Sequence, residues 1–117
     1  MHIESLREYC ISKKGVLESF PFSDDTLVFK VANKIFLLAS LDQPISFNVK
    51  CDPEEAIILR EKHSEVLPGY HMNKKHWNTV YYNGSLSEIQ IFEMIDHSYN
   101  LVLQSLPKIL QNQINQL

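Results

Sequence analysis

The sequence predicts a two-layer α+β domain in which helices pack against an antiparallel β-sheet. Three segments between residues 27 and 50 are rich in β-branched and aromatic residues and are separated by turn residues, as in a meander of strands. Residues 3–14 and the segment after residue 87 instead repeat apolar residues every three or four positions, as amphipathic helices do. Because the strands are grouped rather than alternating with helices, the pattern favours an α+β arrangement. The 117 residues suit one domain, which we assign to residues 1–117.

The composition and net charge limit the classes of protein to which this chain can belong. Hydrophobic residues make up 44% of the chain and charged residues 21%, which is typical of a folded soluble protein. The net charge of −3 argues against a protein that binds nucleic acid over its whole surface, but it leaves room for a local basic patch. Cys10 and Cys51 lie in no CxxC pattern, so we expect two free buried thiols rather than a disulfide. No signal-like or membrane-spanning segment is visible, so we expect a cytoplasmic protein without a membrane partner.

The first half of the chain is predicted to contain one helix and three strands. Residues 3–14 form the helix, which ends at Gly15. Residues 19–25 form a loop, and Asn33-Lys34 makes a tight reversal between the first two strands. The predicted strands are residues 27–32, 35–41 and 45–50. The second of these is almost continuously apolar, so we place it in the centre of the sheet.

The second predicted helix has a strong start signal at Asp52. Asp52 is the N-cap, Pro53 occupies the first helical position, and Glu55 is placed to return a hydrogen bond to the cap. The helix is expected to run to about residue 63. Its apolar side is predicted to consist of Ala56, Ile58 and Leu59.

The last third of the chain is predicted to contain a further strand and a long helix. Residues 77–82 alternate between two faces, as a strand does. A capping box then starts the helix, either at Ser85 or, in another register, at Ser87. Pro107 is expected to kink or restart this helix, leaving a short amphipathic tail. The wide buried face of the helix is predicted to consist of Ile91, Ile95, Tyr99, Val102 and Leu106.

Residues 68–78 hold the densest collection of side chains that bind or donate. This stretch contains two histidines, two lysines, two asparagines, a tyrosine and the only tryptophan. Lysines and protonated histidines meet phosphate oxygens, and aromatic rings stack on bases. We therefore predict a monomer that binds DNA through this stretch. The predicted contacts are His71, Asn73, Lys74, Lys75, His76 and Trp77, with outer support from Lys50, Arg60 and Lys62.

Two other interpretations of the same stretch stay open at this point. It can serve a protein-interaction or small-anion-binding module, for which the acidic net charge is no obstacle. It can also be purely structural, because Tyr70 and Trp77 can belong to the core and hold the last strand against the sheet and the C-terminal helix.

The spacing of the polar residues disfavours a metal site and catalysis. No HxH motif, no HxxxH on a helix and no thiolate pair is present, so we expect neither a metal nor a cofactor. Asp96, His97 and Ser98 are consecutive on a helix, where neighbours point about 100° apart and cannot form a triad with each other. Cys51 precedes a helix N-terminus, which can lower a thiol pKa. No histidine is linked to it in sequence, so we interpret Cys51 as a core residue and expect no enzymatic activity.

A set of motifs spread over nearly the whole chain invites comparison with known families. The motifs are Phe-Pro-Phe at residues 20–22, Val-Lys-Cys-Asp-Pro-Glu at 49–54, His-Met-Asn-Lys-Lys-His-Trp at 71–77 and Ile-Asp-His-Ser-Tyr-Asn at 95–100. In this order they resemble the MmcQ/YjbR-like family. The resemblance implies a frataxin-like (CyaY-like) fold, with helices on one face of an antiparallel sheet. It also implies DNA binding through a double wing motif, with the recurring surface feature at residues 70–77 and no catalytic residues.

Overall fold

The chain forms one antiparallel sheet covered by helices, in a computed structural model that describes residues 3–20, 25–42, 44–70, 72–81 and 85–117. The helices in these ranges are α1 (Ile3–Ile11), α2 (Pro53–Lys62), α3 (Glu88–Gln104) and α4 (Lys108–Asn115). The strands are β1 (Val16–Ser19), β2 (Thr26–Val31), β3 (Lys34–Ser40), β4 (Ser46–Lys50), β5 (Val66–Pro68) and β6 (Trp77–Tyr81). They are arranged in the order β1-β2-β3-β4-β6-β5, and every neighbouring pair is antiparallel. The predicted α+β fold class is therefore confirmed.

The two edge strands, β1 and β5, were not predicted from the sequence. They have four and three residues, which is too short to show a period, and each pairs with one neighbour only. β1 follows Gly15, whose φ of +75° turns the chain away from α1. The predicted loop at 19–25 therefore starts too early, since Ser19 belongs to β1. Residues 21–24 of that loop lie outside the described residues.

The β2–β3 hairpin reverses one residue earlier than predicted. Val31 pairs with Lys34, so the two-residue loop is Ala32-Asn33 rather than Asn33-Lys34. Both loop residues have positive φ, 47° and 66°, as a type I′ turn requires. This turn is favoured because its twist matches the twist of the paired strands.

A bulge in β3 brings two neighbouring side chains into the core. Phe29 pairs with Leu37 and Lys30 with Ile35, which leaves Phe36 without a cross-strand partner. Phe36 and Leu37 are both fully buried in the core as a result. The Phe36 ring meets Tyr99 of α3 edge-on, with the ring centroids 5.4 Å apart.

The core lies between one face of the sheet and the helices. The five residues predicted for the buried face of the long helix are all buried, and Leu106 lies just beyond the end of α3. α2 buries a narrower stripe than predicted. Ala56 is buried and Leu59 half-buried, but Ile58 is 42% exposed, so its assignment to the apolar side was wrong. The reason is that α2 packs beside the short edge strand β5, which covers less of its surface.

The N-termini of α2 and α3 agree in most respects with the capping signals in the sequence. The Asp52 carboxylate accepts hydrogen bonds from the backbone N–H groups of Glu54 and Glu55, with Pro53 at the first helical position. The N–H of Asp52 itself donates to His97 rather than to the Glu55 side chain, so this part of the prediction was wrong. For α3 the capping box forms in the Ser87 register. No helix in the described ranges is long and apolar enough to cross a membrane.

Candidate binding turn and adjoining cavity

Tyr70 and residues 72–76 form a tight turn before β6, which we call the basic turn. It begins where the Gly69 N–H donates to the Trp77 carbonyl at 2.8 Å. Inside it, the Asn73 carbonyl accepts from the N–H groups of His76 and Trp77, at 3.0 and 2.8 Å. The Asn73 side-chain oxygen accepts from the Lys75 N–H at 2.9 Å. Asn73 therefore shapes the turn through both its backbone and its side chain.

Arg60 of α2 supports the basic turn from the protein side. Its Nη2 donates to the carbonyls of Lys74 and Trp77, at 2.5 and 3.2 Å. Its Nε donates to the side-chain oxygen of Asn78 at 2.7 Å. Arg60 was predicted as an outer phosphate contact, and these three bonds show that it also holds the turn in place.

The two aromatic residues of the stretch occupy different environments. Trp77 is only 9% exposed, whereas Tyr70 is 72% exposed. Trp77 pairs with Lys50 across β4 and β6, so both side chains lie on the same face of the sheet. Trp77 is therefore held within the fold, and Tyr70 is the ring that solvent and ligands can reach.

The remaining predicted contacts of the turn differ in accessibility. Lys74 and Lys75 are exposed, and neither forms an ion pair with another described residue. His76 is half-buried, and its carbonyl accepts from the Cys51 N–H at 2.7 Å. His71 lies outside the described residues.

A cavity of about 800 Å³ opens beside the basic turn, between α2 and α3. Its floor is formed by the end of β4 and the start of β6, and its walls by one stripe of each helix. Two further predicted contacts, Lys50 and Lys62, line it, as do the cap residue Asp52 and the floor residue Asn78. The other lining residues are Val49, Cys51, Glu55, Leu59, His63, Gln90, Glu93, Met94, His97 and Leu101.

This cavity was not predicted from the sequence, although a partial signal exists. Gln90, Glu93, Met94, His97 and Leu101 recur at helical spacing beside the apolar stripe of α3. A matching stripe runs along α2 through Glu55, Leu59 and Lys62. The spacing shows that each stripe shares a helix face, but it does not show that the two stripes face each other.

The two cysteines are buried and free. Burial, together with the nearby carboxylates of Glu55 and Asp52, raises the pKa of Cys51 to about 11. Burial likewise raises the pKa of Cys10 to about 12. Both thiols are thus protonated at neutral pH, and the helix N-terminus does not turn Cys51 into a thiolate.

The consecutive residues Asp96, His97 and Ser98 each bind a different part of the fold. Asp96 accepts from the Tyr9 hydroxyl at 2.6 Å and forms an ion pair with Lys13. His97 Nε2 accepts from the Asp52 N–H at 3.1 Å. Ser98 is fully buried; its hydroxyl donates to the Phe36 carbonyl and accepts from the Lys50 N–H. As expected from their spacing, they form no triad with one another.

No three His, Cys, Asp or Glu side chains gather into a metal-binding group within the described residues.

Two sequence comparisons bear on these features. The family model described as YjbR matches residues 11–101. Protein YjbR of Escherichia coli (strain K12) is 36% identical over 109 residues, which cover 92% of this chain and 92% of that protein. Protein YbdF of Escherichia coli O157:H7 is 40% identical over 90 residues, which cover 76% of this chain and 74% of YbdF. The resemblance noted from the motifs is thereby confirmed.

Solved structures agree with the sequence matches. The crystal structure of Deinococcus radiodurans protein DR2400, with domain DUF419, matches with a TM-score of 0.91 and 36% identity. The match covers 97% of this chain and 87% of that chain. A crystal structure of a Pseudomonas syringae protein matches with a TM-score of 0.75 and 28% identity, covering 86% of this chain and 98% of that one. The chain with this braced basic turn and cavity therefore belongs to the YjbR family.

Proposed function

We propose that this protein binds DNA, without catalysing a reaction on it, through the basic turn. Lys74 and Lys75 contact backbone phosphates, and Tyr70 stacks on an accessible base. Of the two aromatic residues of the stretch, Tyr70 takes the stacking role, because Trp77 is buried. The support comes from the geometry of the turn rather than from the net charge of the chain.

The bracing by Arg60 is the observation that carries this proposal. A flexible lysine loop loses conformational entropy when it binds, and this cost weakens the complex. Here the guanidinium holds the Lys74 and Trp77 carbonyls, so the backbone of the turn is already ordered. The exposed lysine side chains that it presents have no competing carboxylate partner among the described residues.

The charge balance sets the strength that we expect. The chain carries a net charge of −3, so long-range attraction to DNA is absent and only the local patch contributes. Two phosphate contacts give a log–log slope of affinity against salt concentration of roughly −2. Binding is therefore expected at low salt, with a dissociation constant in the micromolar range or weaker, as for non-specific complexes.

Fluorescence anisotropy with labelled single- and double-stranded oligonucleotides at low salt tests the proposal. The expected result is saturable binding that the Lys74→Ala/Lys75→Ala variant loses. Lys34→Ala/Lys108→Ala is the matched control, because both lysines are exposed and the same charge is removed away from the turn. Absence of binding by the parent protein, or equal loss in both double variants, would contradict a role for the basic turn.

A further inference from the structure

We infer that the cavity between α2 and α3 binds a small organic amine that carries a hydrogen-bond-accepting oxygen at its other end. This site is separate from the exposed lysines of the basic turn and does not depend on DNA binding. Its volume of about 800 Å³ falls within the range of roughly 300–1,000 Å³ that is typical of small-molecule pockets. Apolar side chains suited to the body of such a ligand are Val49, Leu59, Met94 and Leu101.

The charges of the cavity favour a cation. Glu55 on α2 and Glu93 on α3 lie on the two walls, and neither forms an ion pair with another described residue. Asp52 adds a third carboxylate, which is engaged in capping α2. On the α2 wall, the cationic side chain is Lys62. Lys50 also borders the cavity, but strand alternation places its side chain on the other face of the sheet, together with Trp77. Arg60, which donates to the floor residue Asn78, is a second cation beside the cavity. The three carboxylates still outnumber these two cationic side chains, which disfavours an anionic ligand.

Asn78 is the reason to expect a hydrogen-bond acceptor on the ligand. This floor residue is only 1% exposed. Arginine can only donate hydrogen bonds, so the contact from Arg60 Nε identifies the Asn78 atom concerned as Oδ1. The remaining atom, Nδ2, donates to no acceptor among the described residues, although Asn78 lines the cavity. No side-chain nitrogen or oxygen of the described residues is both buried and without a partner, so Nδ2 remains accessible, and a ligand oxygen in the cavity can accept its hydrogen bond.

A series of aromatic probes separates the two requirements. The probe with both groups is para-methoxyphenethylamine, whose ether oxygen accepts but cannot donate. Phenethylamine lacks the oxygen, para-ethylanisole lacks the amine, and para-methoxyphenylacetate replaces the amine with a carboxylate. In NMR titrations of the whole protein, we expect the full probe to bind most tightly and to shift the Asn78 side-chain amide signal. Equal or tighter binding of the anionic probe, or no binding of any probe, would overturn the inference.

Substitutions assign the binding to this cavity. Glu93→Gln and Glu55→Gln should each weaken the full probe by roughly threefold, the effect of one exposed ion pair. Glu61→Gln is the control, because Glu61 is exposed on α2 and does not line the cavity. Equal affinity in all three variants would place the probe elsewhere and refute the site.

The role of Asn78 is tested by a nearly isosteric change. Asn78→Asp keeps an oxygen for Arg60 but replaces the amide donor with a second acceptor. The extra negative charge affects both amines alike, so the informative quantity is the affinity ratio of para-methoxyphenethylamine to phenethylamine. This ratio should exceed one in the parent protein and fall to one or below in the variant. A ratio that is unchanged would contradict a hydrogen bond from Asn78.

Discussion

Asp96, His97 and Ser98 illustrate how residue type alone can suggest the wrong role. An acid, a histidine and a serine are the components of a hydrolytic triad. On α3 they point in three directions, and they tie this helix to α1, to the cap of α2 and to the backbone of β3 and β4. Because His97 Nε2 accepts from the Asp52 N–H, Nδ1 is the ring nitrogen that can donate. Each of the three polar groups therefore has a specific packing partner.

Arg60 presents the reverse case, a cation predicted to bind DNA whose guanidinium forms three hydrogen bonds within the fold. Arg60→Met should lower the free energy of unfolding by about 2–3 kcal/mol, because the carbonyls of Lys74 and Trp77 and the Asn78 oxygen lose their donor. Urea unfolding measures this change. Lys62→Met serves as the control, since an exposed residue of the same helix should change stability by less than about 0.5 kcal/mol. Unchanged stability of Arg60→Met, together with weaker DNA binding, would instead support a direct phosphate contact.

Gly69 is required by the close approach of two backbone segments. A Cβ at this position would lie 2.8 Å from the Cβ and 2.9 Å from the carbonyl oxygen of Trp77. Gly69→Ala should therefore destabilise the protein by about 1–3 kcal/mol, as overpacking does. Thermal unfolding followed by the fluorescence of Trp77, the only tryptophan, measures the loss.

A second glycine provides the comparison for this prediction. At Gly15 an added Cβ has ordinary contacts of 3.5 Å, and only the positive φ penalises it. Gly15→Ala should cost about 1 kcal/mol from this backbone strain. If Gly69→Ala is as stable as the parent protein, the β5–β6 approach is looser than the structure indicates.

At the scale of elements, the β2–β3 hairpin shows what determined the accuracy of the sequence predictions. β2, β3 and β4 were predicted within one or two residues, because five to seven residues are enough to show an apolar pattern. The position of the turn was missed because Ala32 is not a typical left-handed residue, whereas Asn33 is. β1 and β5 were missed because strands of three or four residues show too little alternation.

The strain at Ala32 gives a stability prediction. Ala32→Gly should raise the free energy of unfolding by about 0.5–1 kcal/mol, since glycine adopts positive φ without the steric cost of a Cβ. Ala56→Gly is the control and should lower stability by about 1–2 kcal/mol, because it places glycine inside α2 and removes a buried methyl group. Chemical denaturation of both variants gives the two values. A loss of stability in Ala32→Gly would mean that the turn is not strained.

At the scale of the whole molecule, the candidate site depends on contacts that a linear sequence does not display. The basic turn was found because its residue types are concentrated in one segment. The bracing by Arg60 was not, because two of its three acceptors are backbone carbonyls, and every residue carries one. The cavity was not found because its walls come from helices that are far apart in sequence and meet only through the sheet.

The buried thiols give the whole fold a predictable response to alkaline pH. The pKa of Cys10 is raised to about 12 and that of Cys51 to about 11, whereas both thiols ionise near pH 9 in the unfolded chain. Above pH 9 the unfolded state therefore releases protons that the native state retains. Because the unfolded state then binds fewer protons, the free energy of unfolding must fall as pH rises from about 9 towards the native pKa values. Below pH 9 the two states bind the same number of thiol protons, and this contribution is constant.

Urea unfolding between neutral pH and pH 11 tests this linkage with a Cys10→Ala/Cys51→Ala variant. The variant should be less stable at neutral pH, because truncation of two buried side chains leaves space in the core. Its stability should nevertheless decline less steeply above pH 9. Burial and the hydrogen bond to Asp96 raise the pKa of Tyr9 to about 12. Tyr9 is present in both proteins, so its contribution to the pH dependence cancels in the comparison. Parallel declines in the two proteins would show that the thiols ionise alike in the folded and unfolded states, which is incompatible with their burial.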